Sequence, residues 1–545
     1  MTWFSLPITQ AGNKAAFADA ASAAAWLAQQ PQANAAAMQS GLLGQIQALN
    51  AYSMAPRERF KILEELRKAI FTADGECRRR YENRPVPLWS SEQVALDTAR
   101  HLWRACALAY LHCLRGCLDG DPGVAEQKAK IAHRALVCLR MEQLTCYFGL
   151  LDLDPDFWRN LHSILASAEQ LEVAHVPVSD RALGETSEST INGQYAMILL
   201  LHLARPFELS RTQFAAVIRW LARWREQAEI LAAPEHNPKA SSIALDLSLD
   251  APSFEAAGAP AIARWLSTSG VLRKIRKRLE LLAAGESPES LKLGSGISSE
   301  ASVALLKTLA DNLKNPLPMT AGALPEAPVA KVAIGMEAIH RQLGGKSLKT
   351  PEEPSSMNRH AQDQIAIFGH LPREMEDKNA VKPENWVLLP AVDVALGHDS
   401  AALVGQGAAQ LRLCRPAGKG LARLNNKCLL AVQLPDQSRF TLVLLSSLCT
   451  HSDGSVHATV KVFPGVPKVL VAEVRERPLG KVSRQPALLL PAIDKLAATL
   501  SIFLPAGTST RAMSVTLLHD QPQILRLGTC LERGSDYERW VYETA

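Results

Sequence analysis

Two glycine-containing segments resemble loops that bind phosphate or carry a nucleophile. Gly344–Ser347 ends like a Walker A motif, in which backbone N–H groups and a lysine surround phosphates. The first glycine position of that motif is His340 here, and a helix is predicted before the segment where the motif requires a strand. A helix C-terminal cap accounts better for these glycines. Gly294–Gly296 lacks the strand-turn-helix setting of a hydrolase nucleophile.

Two other groups have residue types that bind metals. Asp152–Asp156 resembles a calcium loop but lacks the glycine and glutamate required at its sixth and twelfth positions. It is predicted to begin a helix that places Trp158 in the core. Cys113 and Cys117 are one helical turn apart, but no further ligand completes a set, so buried free thiols are predicted. No compact histidine motif occurs, which leaves catalysis without positive support.

The segment Asn385–Val474 has the pattern of a small antiparallel β-barrel. Its β-prone runs are separated by Gly, Pro, Asp and Asn, which favour turns. Asp453 and Gly454 suit a tight hairpin between two runs. Apolar side chains alternate with mixed ones from Val456 to Phe463, so one face of that strand is apolar. The predicted strands are Trp386–Leu389, Lys427–Leu434, Phe440–Leu448, Ser455–Phe463 and Lys468–Val474.

Residues upstream of this segment are predicted to be mainly helical. One long helix follows Pro56, and a second is capped by Ser91. The inward side chains predicted for the first are Phe60, Leu63, Leu66 and Ile70. Those predicted for the second are Val94, Thr98, Leu102 and Ala105. Successive helices of this kind indicate a bundle or a stack of helical hairpins.

Two further helices are predicted on either side of Pro206. Thr190–Ala204 is apolar on several sides, which indicates a buried helix. The next helix starts at Ser210, where Gln213 completes a capping box. Its basic residues lie largely away from the apolar stripe and are predicted to be solvated, with an acidic partner as the alternative. These basic residues are Arg219, Arg223 and Arg225.

Composition sets broad limits on function. Lysine and arginine exceed aspartate and glutamate by five in 545 residues, so charge says little about partners. No basic block predicts a nucleic-acid tail or a membrane anchor. The N-terminus lacks the pattern of a signal peptide, and the apolar run Met197–Leu203 is too short to span a membrane. A soluble cytoplasmic protein that binds no nucleic acid and does not insert into a membrane is expected.

Several motifs along the chain resemble one known family. They lie in the predicted barrel, in the helical part and near the C-terminus. The barrel motifs are Trp386, Arg412–Gly418, Asp453–Gly454 and Phe463–Pro467; the helical ones are Phe157–His162 and Thr190–Leu209; the C-terminal ones are Leu488–Pro491, Leu525–Gly528 and Glu532–Glu538. The chain resembles large proteobacterial PilZ-like proteins that bind cyclic-di-GMP. The resemblance implies membership more strongly than activity, because its motifs are mainly apolar patterns.

The chain departs from the ligand motifs of that family. A PilZ domain that binds cyclic-di-GMP has an Arg-x-x-x-Arg segment before the barrel and an Asp/Asn-x-Ser-x-x-Gly turn within it. Here Arg373 is followed by Lys378, and the turn aligns with Gly405, Gly407 and Gln410. The nearest substitutes form a basic, glycine- and proline-broken loop, with a solvated loop as the alternative to ligand binding. They are Arg412, Arg415, Lys419 and Arg423.

The expected fold is an α+β multidomain protein. We expect an all-α helical domain at 1–235, a mixed α/β middle domain at 236–350 and a linker at 351–382. Tandem small antiparallel β-barrels follow, a PilZ-like barrel at 383–476 and a second barrel at 477–545. The middle domain includes a predicted strand at Val329–Ile334.

Two classes of function follow from this. The first is a non-enzymatic signalling effector, without a cofactor, that binds cyclic-di-GMP and relays to an unidentified protein partner. The alternative is a nucleotide-independent interaction scaffold with a degenerate PilZ-like barrel. An enzyme acting on nucleotides ranks third, since no catalytic constellation supports it.

Overall fold

The computed structural model divides into two units, Met1–Arg84 with Leu88–Thr320 (unit 1) and Pro85–Pro87 with Ala321–Ala545 (unit 2). The predicted linker at 351–382 lies outside the residues that the structure describes. The described residues are 4, 6, 8, 9, 15–31, 33–180, 188–235, 241–252, 262–316, 328–345, 383–389, 410–418, 422–435, 437–475, 482–492, 499–511, 514–518 and 522–544.

Unit 1 is mainly helical. A small antiparallel sheet, with strand order β1-β3-β2, lies between the eighth and ninth helices in the sequence. The helices are α1 (Ala20–Ala28), α2 (Ala35–Asn50), α3 (Pro56–Cys77), α4 (Ser90–Leu118), α5 (Lys128–Phe148), α6 (Pro155–Gln170), α7 (Ile191–Leu203), α8 (Arg211–Trp224), α9 (Ser269–Ala283) and α10 (Ser299–Lys314). The strands are β1 (Glu229–Leu231), β2 (Ser242–Asp246) and β3 (Ala263–Ser267). None of the described helices combines the length and apolarity needed to cross a membrane.

Helix α5 lies at the centre of unit 1. Every side chain from Ile131 to Tyr147 is buried, including charged ones. A buried charge needs a partner, because burial removes its hydration. Arg134 therefore pairs with Asp180 at 2.8 Å, and Glu142 pairs with Arg104 of α4. Helix α4 and the segment between α6 and α7 supply the counter-charges that hold α5 in place.

The predicted helix starts of α6, α7 and α8 are confirmed. The Asp154 carboxylate accepts from the Phe157 N–H at 3.0 Å, and Trp158 is buried in the core. Thr190 caps the buried helix α7. Ser210 and Gln213 form the predicted capping box, with hydrogen bonds of 2.9 and 3.3 Å. Short-range hydrogen bonds of this kind depend on nearby residues, so the sequence reveals them.

The predicted start of α4 is wrong. The helix begins at Ser90, and the Trp89 N–H donates to the Glu92 carboxylate at 2.9 Å, so Ser91 is not the cap. Val94, predicted to face inward, is 64% exposed. Leu102 and Ala105 are buried as predicted, and the buried face is continued towards the helix start by Ala99 and Ala95 rather than by Val94.

The thiols predicted to be structural are buried. Cys113 and Cys117 lie on one side of α4, and both are free. Burial raises the pKa of Cys117 to about 11, and it raises the pKa of Cys113 further. Neither thiol ionises near neutral pH, as expected of cysteines that serve as small core residues.

Unit 2 contains two closed six-stranded antiparallel barrels. The first closes in the order β4-β5-β6-β9-β8-β7 and the second in the order β10-β11-β12-β15-β14-β13. The first comprises β4 (Val329–Ile334), β5 (Glu384–Leu389), β6 (Gln410–Arg415), β7 (Leu429–Gln433), β8 (Thr441–Thr450) and β9 (Val456–Val462). The second comprises β10 (Lys468–Arg475), β11 (Val482–Leu490), β12 (Ser501–Pro505), β13 (Ser514–Leu518), β14 (Gln523–Arg533) and β15 (Tyr537–Thr544). Two short helices accompany them, α11 (Met336–Gln342) and α12 (Thr508–Arg511).

The predicted hairpin and helix cap in unit 2 are both present. Gly454 has a φ of +79°, and the Asp453 carboxylate accepts from the Ser455 N–H at 2.8 Å. Gly344 has a φ of +92° where α11 ends, and its N–H donates to the Arg341 carbonyl at 3.1 Å. Glycine accepts this conformation without steric cost. Gly344 and Gly345 therefore end a helix, and Lys346 and Ser347 lie outside the described residues.

Three strands lie elsewhere than their local sequence suggests. Strand β4, from the predicted middle segment, closes the first barrel by pairing with both β5 and β7. Strand β10 pairs with β11 and β13 in the second barrel. The prediction of a loop is wrong for Gln410–Arg415, which forms β6 between β5 and β9. Barrel closure depends on partners distant in sequence, and local patterns do not identify them.

Candidate ligand-binding sites

Arg415 lies at the end of β6 with its guanidinium inside the first barrel. Its Nη1 donates to a Glu384 carboxylate oxygen at 3.0 Å and to the Ala422 carbonyl at 2.8 Å. The other Glu384 oxygen accepts from the Ala422 N–H at 3.0 Å. The guanidinium carbon lies 5.1 Å from the centroid of the Trp386 ring. With 2% of its surface exposed, Arg415 joins β5, β6 and the segment that follows β6.

Arg423 binds the carbonyls of a short segment of unit 2 that is distant in sequence. Its Nη2 donates to Pro85 at 2.7 Å, and its Nε donates to Pro85 at 3.1 Å and Pro87 at 3.0 Å. Val86 and Leu424 exchange backbone hydrogen bonds of 2.9 and 2.8 Å at the same place. Arg423 therefore holds residues 85–87 against the chain after β6.

Arg412 occupies a different face of β6. It lies opposite Thr459 of β9 and Leu389 of β5, and it is half-buried. Side chains alternate along a strand, so Arg412 and Arg415, three residues apart, point to opposite faces. Burial lowers the pKa of the Arg412 guanidinium. Burial, aided by His451 and Arg412, also lowers the pKa of His457 to about 4, so that histidine is neutral at pH 7.

Arg412, Arg415 and Arg423 belong to the predicted ligand-binding set and are described by the structure. They do not come together on one surface. Arg415 is internal, Arg423 binds backbone carbonyls and Arg412 faces the other side of β6. Gln410 begins β6 and is exposed. Arg373, Lys378, Gly405, Gly407 and Lys419 lie outside the described residues. Ligand binding by the four-residue set stays a prediction.

Unit 1 contains a second group of cations, around a cleft of about 180 Å³. We call this the tryptophan–cation cleft. Its wall includes residues of α8, residues of α9 and a loop after α9. The residues that define it are Trp220, Arg223, Trp224, Lys274, Arg278 and Lys292. Trp220 and Trp224 are one turn apart on α8, and Lys274 and Arg278 are one turn apart on α9, so each pair shares a helix face.

Hydrogen bonds from α8 hold the loop that completes the cleft. The Trp220 indole Nε1 donates to the Leu293 carbonyl at 2.9 Å, and the Arg223 guanidinium donates to the Lys292 carbonyl. Lys292 has a left-handed φ of +60°, which is uncommon outside glycine. Trp220 and Trp224 stack with centroids 6.2 Å apart, and the Arg278 guanidinium carbon lies 5.7 Å from the Trp224 centroid. The cleft thus has an aromatic floor covered in part by a cation.

A glycine sets the position of α9 beside α8. A Cβ on Gly270 would lie 2.1 Å from the Gln227 carbonyl oxygen, a backbone atom in the turn after α8. Real atoms do not approach so closely, so any other residue would push α9 away. The close approach fixes the distance between the α8 and α9 sides of the cleft.

The cations of the cleft have no carboxylate partner among the described residues. Arg223, Lys274, Arg278 and Lys292 form no ion pair within 4.0 Å in that part of the chain. The Arg278 Nε is buried there without a hydrogen-bond acceptor. A buried donor is normally paired, and Arg415 Nη2 in the first barrel also lacks a partner among the described residues, so the missing carboxylates, rather than this atom, distinguish the cleft. The cleft therefore offers donors and positive charge to an anion.

Sequence reasoning missed this cleft. It assigned Arg223 to a solvated helix face and drew no conclusion from the cations of α9. Five of the six residues from Arg273 to Arg278 are basic, which is the signal that the sequence offers. The convergence of α8, α9 and the loop at Lys292 depends on tertiary packing, which the sequence pattern does not show.

Comparison with known proteins identifies a relative for the helical part. Residues 21–235 match the family model described as the cyclic-di-GMP receptor FimW, N-terminal domain. No curated protein and no solved structure gives a significant match to this chain. The matched residues run from α1 to just beyond β1, and the two barrels that follow fit a PilZ-like C-terminal region. The predicted resemblance to cyclic-di-GMP-binding proteins of the PilZ-like type is confirmed at this level.

Proposed function

We propose that this protein is a non-enzymatic signalling effector that binds cyclic-di-GMP and relays its presence to a protein partner. The observation that carries the proposal is the match of residues 21–235 to the N-terminal domain of a cyclic-di-GMP receptor. The two barrels of unit 2, a fold compatible with a PilZ-like region, add support.

The chemistry of the ligand agrees with the residues that this chain provides. Cyclic-di-GMP carries two phosphates and two guanines, which bind well to guanidinium and ammonium donors. The tryptophan–cation cleft supplies four such side chains without carboxylate partners among the described residues. On the first barrel, the described arginines Arg415 and Arg423 already bind protein acceptors.

One serine–histidine pair among the described residues lies in surroundings that do not suit catalysis. Ser189 Oγ lies 2.8 Å from His133 Nε2, a geometry seen in nucleophilic catalysis. Burial and nearby arginines lower the pKa of His133 to about 2, and both residues are buried. A substrate has no access to such a pair, and a weakly basic imidazole is a poor general base.

A cytoplasmic location is part of the proposal. All ten cysteines are free thiols, and nine of them are buried. Free thiols persist in reducing compartments, whereas secreted proteins commonly form disulfides.

A nucleotide-independent interaction scaffold is the second candidate. The observation that favours it is the internal use of Arg415 and Arg423, which removes two of the predicted phosphate donors from the barrel surface. In this case unit 2 would serve as a protein-binding surface.

Calorimetric titration of the full-length chain with cyclic-di-GMP separates the two candidates, with GMP and cyclic-di-AMP as controls. The effector proposal predicts selective binding of cyclic-di-GMP with a Kd in the micromolar range or below. Absence of binding, verified by equilibrium dialysis to cover a zero-enthalpy case, contradicts the effector and favours the scaffold.

A further inference from the structure

We infer that the tryptophan–cation cleft of unit 1 is where this chain binds cyclic-di-GMP, taking one nucleotide half of the ligand. The inference rests on the proposed function, to which it adds a location and a set of contacts. The cleft is built from α8, α9 and the loop at Lys292, so it combines residues inside and outside the matched range 21–235.

The charge pattern identifies an anion as the ligand. Four cations line a cleft in which no described carboxylate neutralises them, and the Arg278 Nε lacks an acceptor among those residues. Cations that line one cleft repel one another, and a bound anion reduces this repulsion. A phosphodiester supplies both the charge and several acceptor oxygens.

The aromatic floor identifies a nucleotide rather than a simple phosphate. Arg278 and Trp224 both line the cleft, with the guanidinium carbon 5.7 Å from the ring centroid. Guanidinium planes stack on aromatic rings, which suits a purine base. The exposed Gln227 amide also lines the cleft and has both a donor and an acceptor for a base edge.

The size of the cleft limits how much of the ligand it can enclose. Pockets that enclose whole drug-sized ligands measure about 300–1,000 Å³. At about 180 Å³, the cleft is smaller than these pockets, so it encloses part of one nucleotide half, and the rest of the ligand lies outside it. Arg223 and Lys292 line the cleft and are exposed, so we assign them to the second phosphate.

The test compares two double variants of α9 with equal loss of charge. Lys274→Ala with Arg278→Ala removes cations that line the cleft, whereas Arg276→Ala with Lys277→Ala removes exposed cations outside it. The first pair should weaken cyclic-di-GMP binding at least tenfold, and the second should change it less than twofold. Each full-length variant is checked by circular dichroism and thermal unfolding before titration.

A third variant covers the case in which the first double variant fails to fold. Lys292→Gln changes an exposed side chain in the loop and should weaken binding severalfold. If the wild-type chain binds and both cleft variants bind equally well, the cleft assignment is overturned while the effector function stands. If the wild-type chain does not bind, the proposed function itself fails.

Discussion

The arginines of the first barrel and those of the tryptophan–cation cleft have the same chemistry but different partners. In the barrel, Arg415 pairs with Glu384 and Arg423 binds the carbonyls of Pro85 and Pro87. In the cleft, Arg223 donates to one carbonyl, and no described carboxylate pairs with it, Lys274, Arg278 or Lys292. An arginine that is paired with a carboxylate or with several carbonyls of the protein stabilises the fold, whereas a cation without a described carboxylate partner can pair with an anionic ligand. The partners of a charged side chain therefore indicate its role better than its type does.

The largest expected change in stability is for substitution of Arg415 in the first barrel. Arg415→Ala leaves the Glu384 carboxylate without its cation in a buried setting, which should lower the free energy of unfolding by about 3–5 kcal/mol. Urea denaturation measures this change. Pairing Arg415→Met with Glu384→Gln removes both charges and keeps an acceptor for Ala422, so it should cost less. A loss of nucleotide affinity with unchanged stability would place Arg415 among the ligand contacts instead.

The buried carboxylate of Asp536 should give a pH-dependent effect of up to about 3 kcal/mol. Burial raises its pKa from 3.8 to about 6, with the Leu429 N–H as a partner at 3.0 Å. The folded state thus holds a proton more tightly than the unfolded state. Its stabilising contribution is complete below pH 4 and is lost as pH rises to about 6, at about 1.4 kcal/mol per pKa unit.

Denaturation of Asp536→Asn from pH 4 to pH 7 tests that sign. The variant should gain stability relative to the wild-type chain as pH rises through this range. Glu538→Gln should show the opposite trend, since hydrogen bonds from Ser509 and Gly507 lower the pKa of Glu538. If the free energy of unfolding of Asp536→Asn and of the wild-type chain changed equally with pH, the protonated carboxyl group would not be stabilised by the fold.

A smaller loss of stability is expected for a substitution at Gly270, where α9 meets the turn after α8. Gly270→Ala places a methyl group against the Gln227 carbonyl oxygen and should cost about 1–3 kcal/mol of stability. It should also weaken cyclic-di-GMP binding, because α9 carries Lys274 and Arg278. Gly75→Ala in α3 is the control, since a Cβ there meets nothing within 4 Å. That control should stabilise the chain by about 0.5–1 kcal/mol. Equal changes in stability for Gly270→Ala and Gly75→Ala would contradict the close approach of Gly270 to the Gln227 carbonyl.

The smallest effect, on cyclic-di-GMP affinity, is expected for Arg412→Ala. Its half-buried side chain lies on the face of β6 opposite Arg415 and outside the tryptophan–cation cleft. Cyclic-di-GMP affinity should stay within twofold of wild type in calorimetric titration. A tenfold or larger loss of affinity would place the binding site on the first barrel rather than in the tryptophan–cation cleft.

The sequence predicted what depends on local chemistry. The capping box at Ser210 and Gln213, the buried helix α7 and the hairpin at Asp453 and Gly454 follow from residues within a few positions of one another. The strands of the first barrel, apart from β6, could also be located by their apolar content and turn residues. The family resemblance followed from motifs in the same segments.

The remaining features depend on partners that are distant in sequence. Strand β6 contains two arginines and a cysteine, and it is a strand because β5 and β9 lie on either side. Arg415 could not be assigned to Glu384 without knowing that β5 and β6 pair. The cleft needs Gly270 and the hydrogen bond from Trp220 to Leu293 to bring α8, α9 and the loop together.

Hydrogen–deuterium exchange with and without cyclic-di-GMP tests the central claim most directly, because it reports on both regions of the full-length chain at once. The account predicts slower exchange in α8 and in the loop at 284–297, with no change in peptides from 410–418 and 422–433. Protection confined to the barrel peptides would contradict it and place the ligand among the arginines of β6.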